Sequence, residues 1–175
     1  MGARTSFRSL PNVISSSRVL LAAGFVAVDR PDARIGLVGL AAVTDVLDGW
    51  LARRANWISR SGALLDAFAD RVFVLVAVST FLFTGSLSTI GYFVMISRDL
   101  LTAVGFLVAR AVPWLRPVQF KARLAGKLVT VLQMLTFVAI LRFPPAVDWF
   151  LWGVGLASIV AIADYTWSLW LARMP

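Results

Sequence analysis

Long apolar runs separated by short polar segments occupy most of the chain's 175 residues. A helix needs about 20 predominantly apolar residues to cross the hydrocarbon core of a bilayer. Six runs approach that length, and we predict a membrane-spanning helix in each of them: residues 12–28, 35–55, 62–84, 88–110, 126–142 and 147–171. The pattern therefore predicts an all-α integral membrane protein with six transmembrane helices, folded as one domain over residues 1–175.

The composition supports this class of protein, since 59% of the residues are hydrophobic and the mean hydropathy is +0.83. The segment before the first run, MGARTSFRSLPN, mixes Arg4 and Arg8 with Phe7 and Leu10. Such a mixture is typical of a segment that lies among lipid head groups. We therefore predict a short N-terminal interfacial segment ahead of the six spans.

The net charge of +8 is unevenly distributed along the chain. Cations concentrate before span one, between spans two and three, and between spans four and five, whereas the three opposite connections are close to neutral. By the positive-inside rule, both termini and the connection after span two face the cytoplasm. Because the cations flank apolar spans, we expect contacts with anionic membrane lipids and no binding of nucleic acid.

Four of the nine acidic residues, which are all aspartates, lie where span two ends and span three begins: Asp45, Asp48, Asp66 and Asp70. With about 3.6 residues per helical turn, each pair shares one face of its helix, so two adjacent helices would turn all four carboxylates toward each other. A single charged residue already costs about 2.5–3.5 kcal/mol at the centre of a membrane helix. The cluster therefore predicts a bound cation.

The chain has no histidine and no cysteine, which excludes a thiol nucleophile and a zinc site built from nitrogen or sulfur ligands. Carboxylate oxygens suit hard ions, so we expect Mg²⁺ or Mn²⁺. Two ions held by shared carboxylates can neutralise a diphosphate on a lipid substrate and orient an in-line attack at phosphorus. Gly49 and Gly62 would let a phosphate approach the helix backbone, and Arg53 could pair with it. The carboxylate least committed to metal is the candidate base.

Eight residues of this stretch have the spacing of a known family signature. The signature reads D, two residues, D-G, two residues, A-R, eight residues, G, three residues, D, three residues, D. It is complete here in Asp45, Asp48, Gly49, Ala52, Arg53, Gly62, Asp66 and Asp70. The chain therefore resembles the CDP-alcohol phosphotransferase family, and its opening Pro11, Asn12 and Arg18 and its length fit the same family.

The resemblance implies a homodimeric enzyme that moves the phosphatidyl group of CDP-diacylglycerol to an alcohol and releases CMP, with two Mg²⁺ or Mn²⁺ ions as cofactors. It implies that Asp45, Asp48 and Asp66 are metal ligands. It also implies that Asp70 both contacts metal and deprotonates the acceptor hydroxyl. The positions that receive the cytidine diphosphate group correspond to Gly49, Ala52, Arg53 and Gly62.

The acceptor alcohol is less closely defined. The polar run that begins at Gly126 resembles a segment of phosphatidylglycerophosphate synthases, which use glycerol 3-phosphate. The sequence Ile96-Ser97-Arg98-Asp99 is closer to the cardiolipin synthases, which use phosphatidylglycerol. We predict glycerol 3-phosphate, with phosphatidylglycerol as the alternative and inositol phosphate or serine as further options. A phosphorylated acceptor of either kind would be bound by a set of cations, Arg98, Arg110, Arg123 and Lys127.

Two other classes of protein have comparable residues. An intramembrane prenyltransferase also binds a diphosphate through Mg²⁺ and Asp-rich helices, but its two motifs lie far apart in sequence. A cation transporter could line its pathway with the carboxylates, although it would not require Gly49, Ala52 and Arg53 at their positions.

Several polar residues inside the apolar runs have two interpretations. We expect Arg18, near the start of span one, to extend to the cytoplasmic surface; the alternative is that it reaches the aspartate cluster. Arg98 and Asp99 either pair with each other or serve the site. The polar residues of span five form either an interhelical contact or a wall of the acceptor site: Lys127, Thr130 and Gln133.

Overall fold

The computed structural model describes residues 10–55, 60–111 and 124–171, with side chains over 17–47, 71–105, 125–164 and 166–167. Within these ranges every regular element is helical, which confirms the all-α prediction. A single 3₁₀ turn, Pro144–Ala146, precedes the last helix. The α-helices are α1 (Leu10–Ala27), α2 (Pro31–Ala55), α3 (Arg60–Phe83), α4 (Thr89–Ala111), α5 (Leu124–Arg142) and α6 (Val147–Leu171).

Local sequence explains where the helices begin and end. α2 begins at Pro31 rather than at residue 35, because proline fits the first helical position and Asp32 interacts favourably with the positive end of the helix dipole. After α3 ends, Gly85 has a φ of 71°, a left-handed conformation that glycine adopts without strain. The interfacial segment predicted for the first residues lies largely outside the described part of the chain.

The helices form two compact units that divide between Thr84 and Gly85. In the first unit, α1 packs against both α2 and α3. The fully buried ring of Phe25 on α1 meets Phe73 and Phe81 of α3 edge to face, at centroid distances of 6.1 and 5.5 Å. Edge-to-face aromatic pairs add to the stability gained from burial. This aromatic group therefore holds α1 against α3.

A buried arginine stabilises the turn between α1 and α2. The Nε atom of Arg34 donates a hydrogen bond of 3.2 Å to the carbonyl of Phe25, and its Nη2 lies 3.3 Å from Oδ1 of Asp29. Its guanidinium carbon lies 5.3 Å from the centre of the Phe25 ring. The accepting carbonyl belongs to the last turn of α1, where the helix dipole favours a cation. Two of the opposite charges that make this connection nearly neutral, those of Arg34 and Asp29, thus form an ion pair that stabilises the turn.

In the second unit, α6 packs against both α4 and α5. A Cβ atom on Gly153 would lie 3.8 Å from Leu132 of α5, and one on Gly155 would lie 3.6 Å from Val94 of α4. Residues two apart on a helix point about 200° apart, so these glycines let α6 approach a different helix on each side. The buried side chains of this unit include Met95, Val129, Phe137 and Val154.

Two stretches of the described residues are long and apolar enough to cross a membrane, Ala125–Arg142 and Pro144–Asp164. Of the residues in these stretches, 39% and 17% are buried, whereas a core helix of a soluble protein is mostly buried. Shorter apolar stretches occur in α1 and α3, Ser17–Ala27 and Arg71–Phe83. The six predicted helices are confirmed as helices, whereas six membrane crossings stay a prediction.

Tryptophans lie near both ends of α6. Trp149 and Trp152 are 80% and 71% exposed near its beginning, and Trp167 is 61% exposed near its end. Exposed aromatic rings at the two ends of an apolar helix are typical of residues at membrane–water interfaces. Their placement agrees with α6 as a membrane span.

Candidate functional site

The aspartate cluster lies on unbroken helices. α2 continues past Asp45 and Asp48 to Ala55, and α3 contains both Asp66 and Asp70. At about 100° per residue, the first pair is separated by about 60° around its helix and the second by about 40°. Both helices pack against α1 in the first unit. The helices that carry the two pairs are therefore confirmed. Convergence of the four carboxylates stays a prediction, because three of these side chains lie outside the described ones.

Asp45 is the member of the cluster whose side chain the structure describes. Its carboxylate is 46% exposed, and its Oδ1 lies 3.5 Å from Nη2 of Arg18 on α1. The Arg18 side chain is 1% exposed. The expectation that Arg18 extends to the surface is therefore wrong, and the alternative, that it reaches the aspartate cluster, is what the structure shows.

The position of Arg18 within α1 explains this outcome. α1 begins at Leu10, so Arg18 lies near the middle of an 18-residue helix and not at its end. A buried arginine is stabilised by a nearby carboxylate. The sequence shows a single cation inside an apolar run, which is a signal of a buried charge. It does not show which face of α1 packs against α2.

The contact with Arg18 does not cover the Asp45 side chain, which stays 46% exposed. The motif supplies three further carboxylates, and their binding of a cation together with Asp45 stays a prediction. The potential metal ligands of the motif are carboxylate oxygens, the kind of ligand that suits Mg²⁺ or Mn²⁺. Among the described side chains no group of three potential metal ligands occurs, since Asp48, Asp66 and Asp70 are not among them.

The residues predicted to receive cytidine diphosphate lie on the same two helices. Gly49, Ala52 and Arg53 follow Asp48 in the last two turns of α2, and Gly62 is the third residue of α3. Their positions agree with a site at the ends of α2 and α3 that adjoin the connection 56–59. Their side-chain surroundings lie outside the described part of the structure, so their role stays a prediction.

The predicted acceptor cations have different surroundings. Lys127 is exposed near the beginning of α5. Arg98 donates a hydrogen bond of 2.9 Å from Nη1 to Oδ1 of Asp99, so these two residues pair with each other. Arg110 lies on α4 with its side chain outside the described set, and Arg123 lies outside the described residues.

The polar residues at the beginning of α5 do not share one environment. Lys127 is exposed, whereas Gln133 is 1% exposed and hydrogen-bonds to α4. Thr130 donates to the Gly126 carbonyl of its own helix. Residues three and six positions apart are separated by about 60° and 120° around a helix. Lys127 and Gln133 therefore cannot lie on one narrow face of α5. The interhelical interpretation is correct for Gln133.

Comparison of the sequence with known proteins shows the family of the chain. The sequence profile described as CDP-alcohol phosphatidyltransferase matches residues 8–170, a stretch that includes α2, α3 and helices of both units. The chain belongs to the CDP-alcohol phosphatidyltransferase family. The resemblance seen in the motif is therefore confirmed.

Three relatives illustrate the similarity. The CDP-diacylglycerol–glycerol-3-phosphate 3-phosphatidyltransferase of Aquifex aeolicus is 32% identical over 109 residues, which are 58% of this chain and 61% of the relative. The enzyme of the same name from Sodalis glossinidius is 34% identical over 141 residues, 74% of this chain and 70% of the relative. The cardiolipin synthase (CMP-forming) of Homo sapiens is 29% identical over 153 residues, 78% of this chain and 51% of the relative. The chain thus spans less than two thirds of the Aquifex and human proteins.

The contact between Arg18 and Asp45 predicts a measurable coupling in stability. In a double-mutant cycle with Arg18→Met and Asp45→Asn, measured with chelator present, we expect a coupling free energy of about 1 kcal/mol because the guanidinium is buried and the carboxylate is half exposed. The matched control is Arg34→Met with Asp29→Asn, whose carboxylate is 96% exposed. There we expect less than about 0.5 kcal/mol. Because both arginines are buried, equal couplings in the two cycles would contradict the idea that the lower exposure of the Asp45 side chain strengthens its pair.

Proposed function

We propose that the protein transfers the phosphatidyl group of CDP-diacylglycerol to a hydroxyl of glycerol 3-phosphate and releases CMP. The observation that carries the proposal is the complete eight-residue motif on α2 and α3 of a family member. The names of the Aquifex and Sodalis relatives support glycerol 3-phosphate as the acceptor. The product would be a phosphatidylglycerophosphate.

In this proposal Asp45, Asp48, Asp66 and Asp70 hold Mg²⁺ or Mn²⁺, in two sites that share carboxylates. The ions would neutralise the diphosphate and stabilise the departing CMP. Gly49 and Gly62 allow the nucleotide to approach the helix backbone, Ala52 lines the same face, and Arg53 pairs with a phosphate. Arg18 holds Asp45 from the buried side and limits repulsion among the carboxylates before substrate binds.

Asp70 is the proposed base. The acceptor hydroxyl oxygen bonds to the phosphorus that carries the diacylglycerol group, and the hydroxyl proton passes to Asp70. The bond between that phosphorus and the bridging oxygen of the diphosphate breaks, and the oxygen leaves with CMP. A carboxylate suits this task because the chain has no histidine or cysteine to perform it.

We further propose that the enzyme is an integral membrane homodimer whose site faces the cytoplasm. The distribution of cations supports this orientation by the positive-inside rule. The outward-facing apolar residues of α5 and α6 support contact with membrane lipids. A lipid substrate could then reach the motif from within the bilayer, while the nucleotide and glycerol 3-phosphate arrive from water.

Cardiolipin synthesis is the second candidate function, with phosphatidylglycerol as the acceptor. The human relative is named a CMP-forming cardiolipin synthase, and the sequence around Arg98 and Asp99 resembles that class. Membership of the transferase family gives no support to the prenyltransferase or transporter alternatives.

An acceptor panel distinguishes these functions. Purified protein is incubated with labelled CDP-diacylglycerol, Mg²⁺ or Mn²⁺, and one of four acceptors: glycerol 3-phosphate, phosphatidylglycerol, inositol phosphate or serine. We expect CMP release with glycerol 3-phosphate. Release with phosphatidylglycerol alone would favour cardiolipin synthesis, and no release with any acceptor would contradict the proposed chemistry.

Replacement of the proposed base should stop the reaction without preventing substrate binding. We expect Asp70→Asn to lower the rate of CMP release by about a thousandfold, the usual contribution of a general base. Binding of CDP-diacylglycerol should stay measurable because three carboxylates remain. Asp148→Asn, which changes an exposed aspartate on α6, serves as the control and should retain the wild-type rate. A wild-type rate in Asp70→Asn would remove Asp70 from this role.

Lys127 should affect the phosphorylated acceptor more than the nucleotide lipid. We expect Lys127→Ala to raise the KM for glycerol 3-phosphate by about tenfold, because a charge-assisted contact is lost, with the KM for CDP-diacylglycerol nearly unchanged. Arg142→Ala removes an exposed cation from the opposite end of the same helix and should change neither value. An unchanged KM for glycerol 3-phosphate in Lys127→Ala would refute its assignment.

A further inference from the structure

A buried cation of α1 lies next to the aspartate motif, although α1 contributes no residue to that motif. Arg18 is 1% exposed, and its Nη2 lies 3.5 Å from Oδ1 of Asp45 on α2. A guanidinium keeps its positive charge in folded proteins. α1 therefore places a permanent positive charge beside one carboxylate of the motif.

The packing of α1 determines where Arg18 lies. Ala22 and Phe25, four and seven residues further along α1, are 2% and 0% exposed. Residues at these spacings lie about 40° and 20° from Arg18 around the helix, so Arg18 continues the buried face of α1. On that face Phe25 meets Phe73 and Phe81 of α3 edge to face. Apolar and aromatic contacts therefore fix the face of α1 from which Arg18 extends.

Asp45 also extends from the buried face of its own helix. Val38 and Ala41, seven and four residues earlier on α2, are each 2% exposed. The same helical spacings place Asp45 on their face, yet its side chain is 46% exposed. The pair thus lies at the edge of the packed part of the first unit. It joins a cation that is shielded from water to a side chain that water reaches.

A fixed positive charge in such a place has two opposite effects on a group of carboxylates. It offsets their mutual repulsion, which stabilises the protein before any ion binds. It also repels a divalent cation that binds the same carboxylate. The guanidinium therefore substitutes in part for the charge of an ion.

We propose that Arg18 is an internal counterion of the motif, which stabilises the metal-free protein and lowers the affinity of the motif for divalent cations. The inference rests on the proposed function, in which Asp45 is a metal ligand. Arg18 acts through Asp45, so it is a positioning residue and touches neither the ion nor the substrate. The consequence is a site that can exchange its ions with solution without loss of the fold.

The test measures Mn²⁺ binding directly, by electron paramagnetic resonance on the full-length protein without substrate. Arg18→Met removes the charge and keeps an unbranched side chain. We expect the dissociation constant of Mn²⁺ to fall by about tenfold, because the ion carries two charges and one charge that repels it is removed. The midpoint of thermal unfolding in chelator should fall, and its rise on addition of Mn²⁺ should be larger than in the wild type.

Two control variants separate the charge of Arg18 from its contribution to the fold. Arg18→Lys keeps the positive charge and should keep the dissociation constant within about twofold of the wild-type value. Arg34→Met removes another buried arginine of the first unit, one that pairs with Asp29 at the turn between α1 and α2. It should lower stability in chelator and leave Mn²⁺ binding unchanged.

Weaker or unchanged Mn²⁺ binding in Arg18→Met would overturn the proposal. Tighter binding of the same size in Arg18→Lys or Arg34→Met would also overturn it, because the effect would then not come from the charge beside Asp45. If Arg18→Met does not fold, Arg18→Gln, which is neutral but polar, should show the same tighter binding.

Measurements on the wild type separate this proposal from the function on which it rests. If the wild type binds no Mn²⁺, the metal site of the proposed function fails and this proposal fails with it. If the wild type binds Mn²⁺ and releases CMP, but Arg18→Met has the wild-type dissociation constant, only the role of Arg18 is overturned.

Discussion

Charge placed among apolar helices has to be balanced locally, and this constraint accounts for the polar contacts of both units. In the first unit Arg18 pairs with Asp45, and Arg34 binds Asp29 and the end of α1. In the second unit Asp99 lies between Arg98 and Gln133. Among the described side chains, each buried arginine has a carboxylate partner, because an isolated charge is costly away from water.

The same constraint gives the aspartate motif its meaning. Arg18 supplies one positive charge from α1, and the motif supplies four carboxylates on α2 and α3. In the proposed function, divalent cations would offset this negative charge and that of a diphosphate. In that proposal the half-exposed side chain of Asp45, next to a buried guanidinium, would be one of the ligands.

Sequence predicted the helices well because the apolar runs are long and are interrupted at Pro31, Gly85 and Pro144. It predicted the family from the fixed spacing of eight residues, which helical geometry then explains. It did not predict that Arg18 is buried, because a sequence does not show which face of α1 packs on α2. The sequence also does not show which cations bind the acceptor, because arginine and lysine serve both to orient a membrane protein and to bind phosphate. Only the contacts distinguish the exposed Lys127 from the paired Arg98.

The central claim is that carboxylates from α2 and α3 converge on divalent ions. It is tested most directly by anomalous diffraction at the manganese edge from crystals grown with Mn²⁺ and CDP-diacylglycerol. The account predicts two Mn²⁺ ions, each within about 2.0–2.3 Å of carboxylate oxygens drawn from Asp45, Asp48, Asp66 and Asp70, with both helices contributing. Carboxylates that point to different sides of the helices, or that are neutralised by arginines with no ion bound, would contradict it.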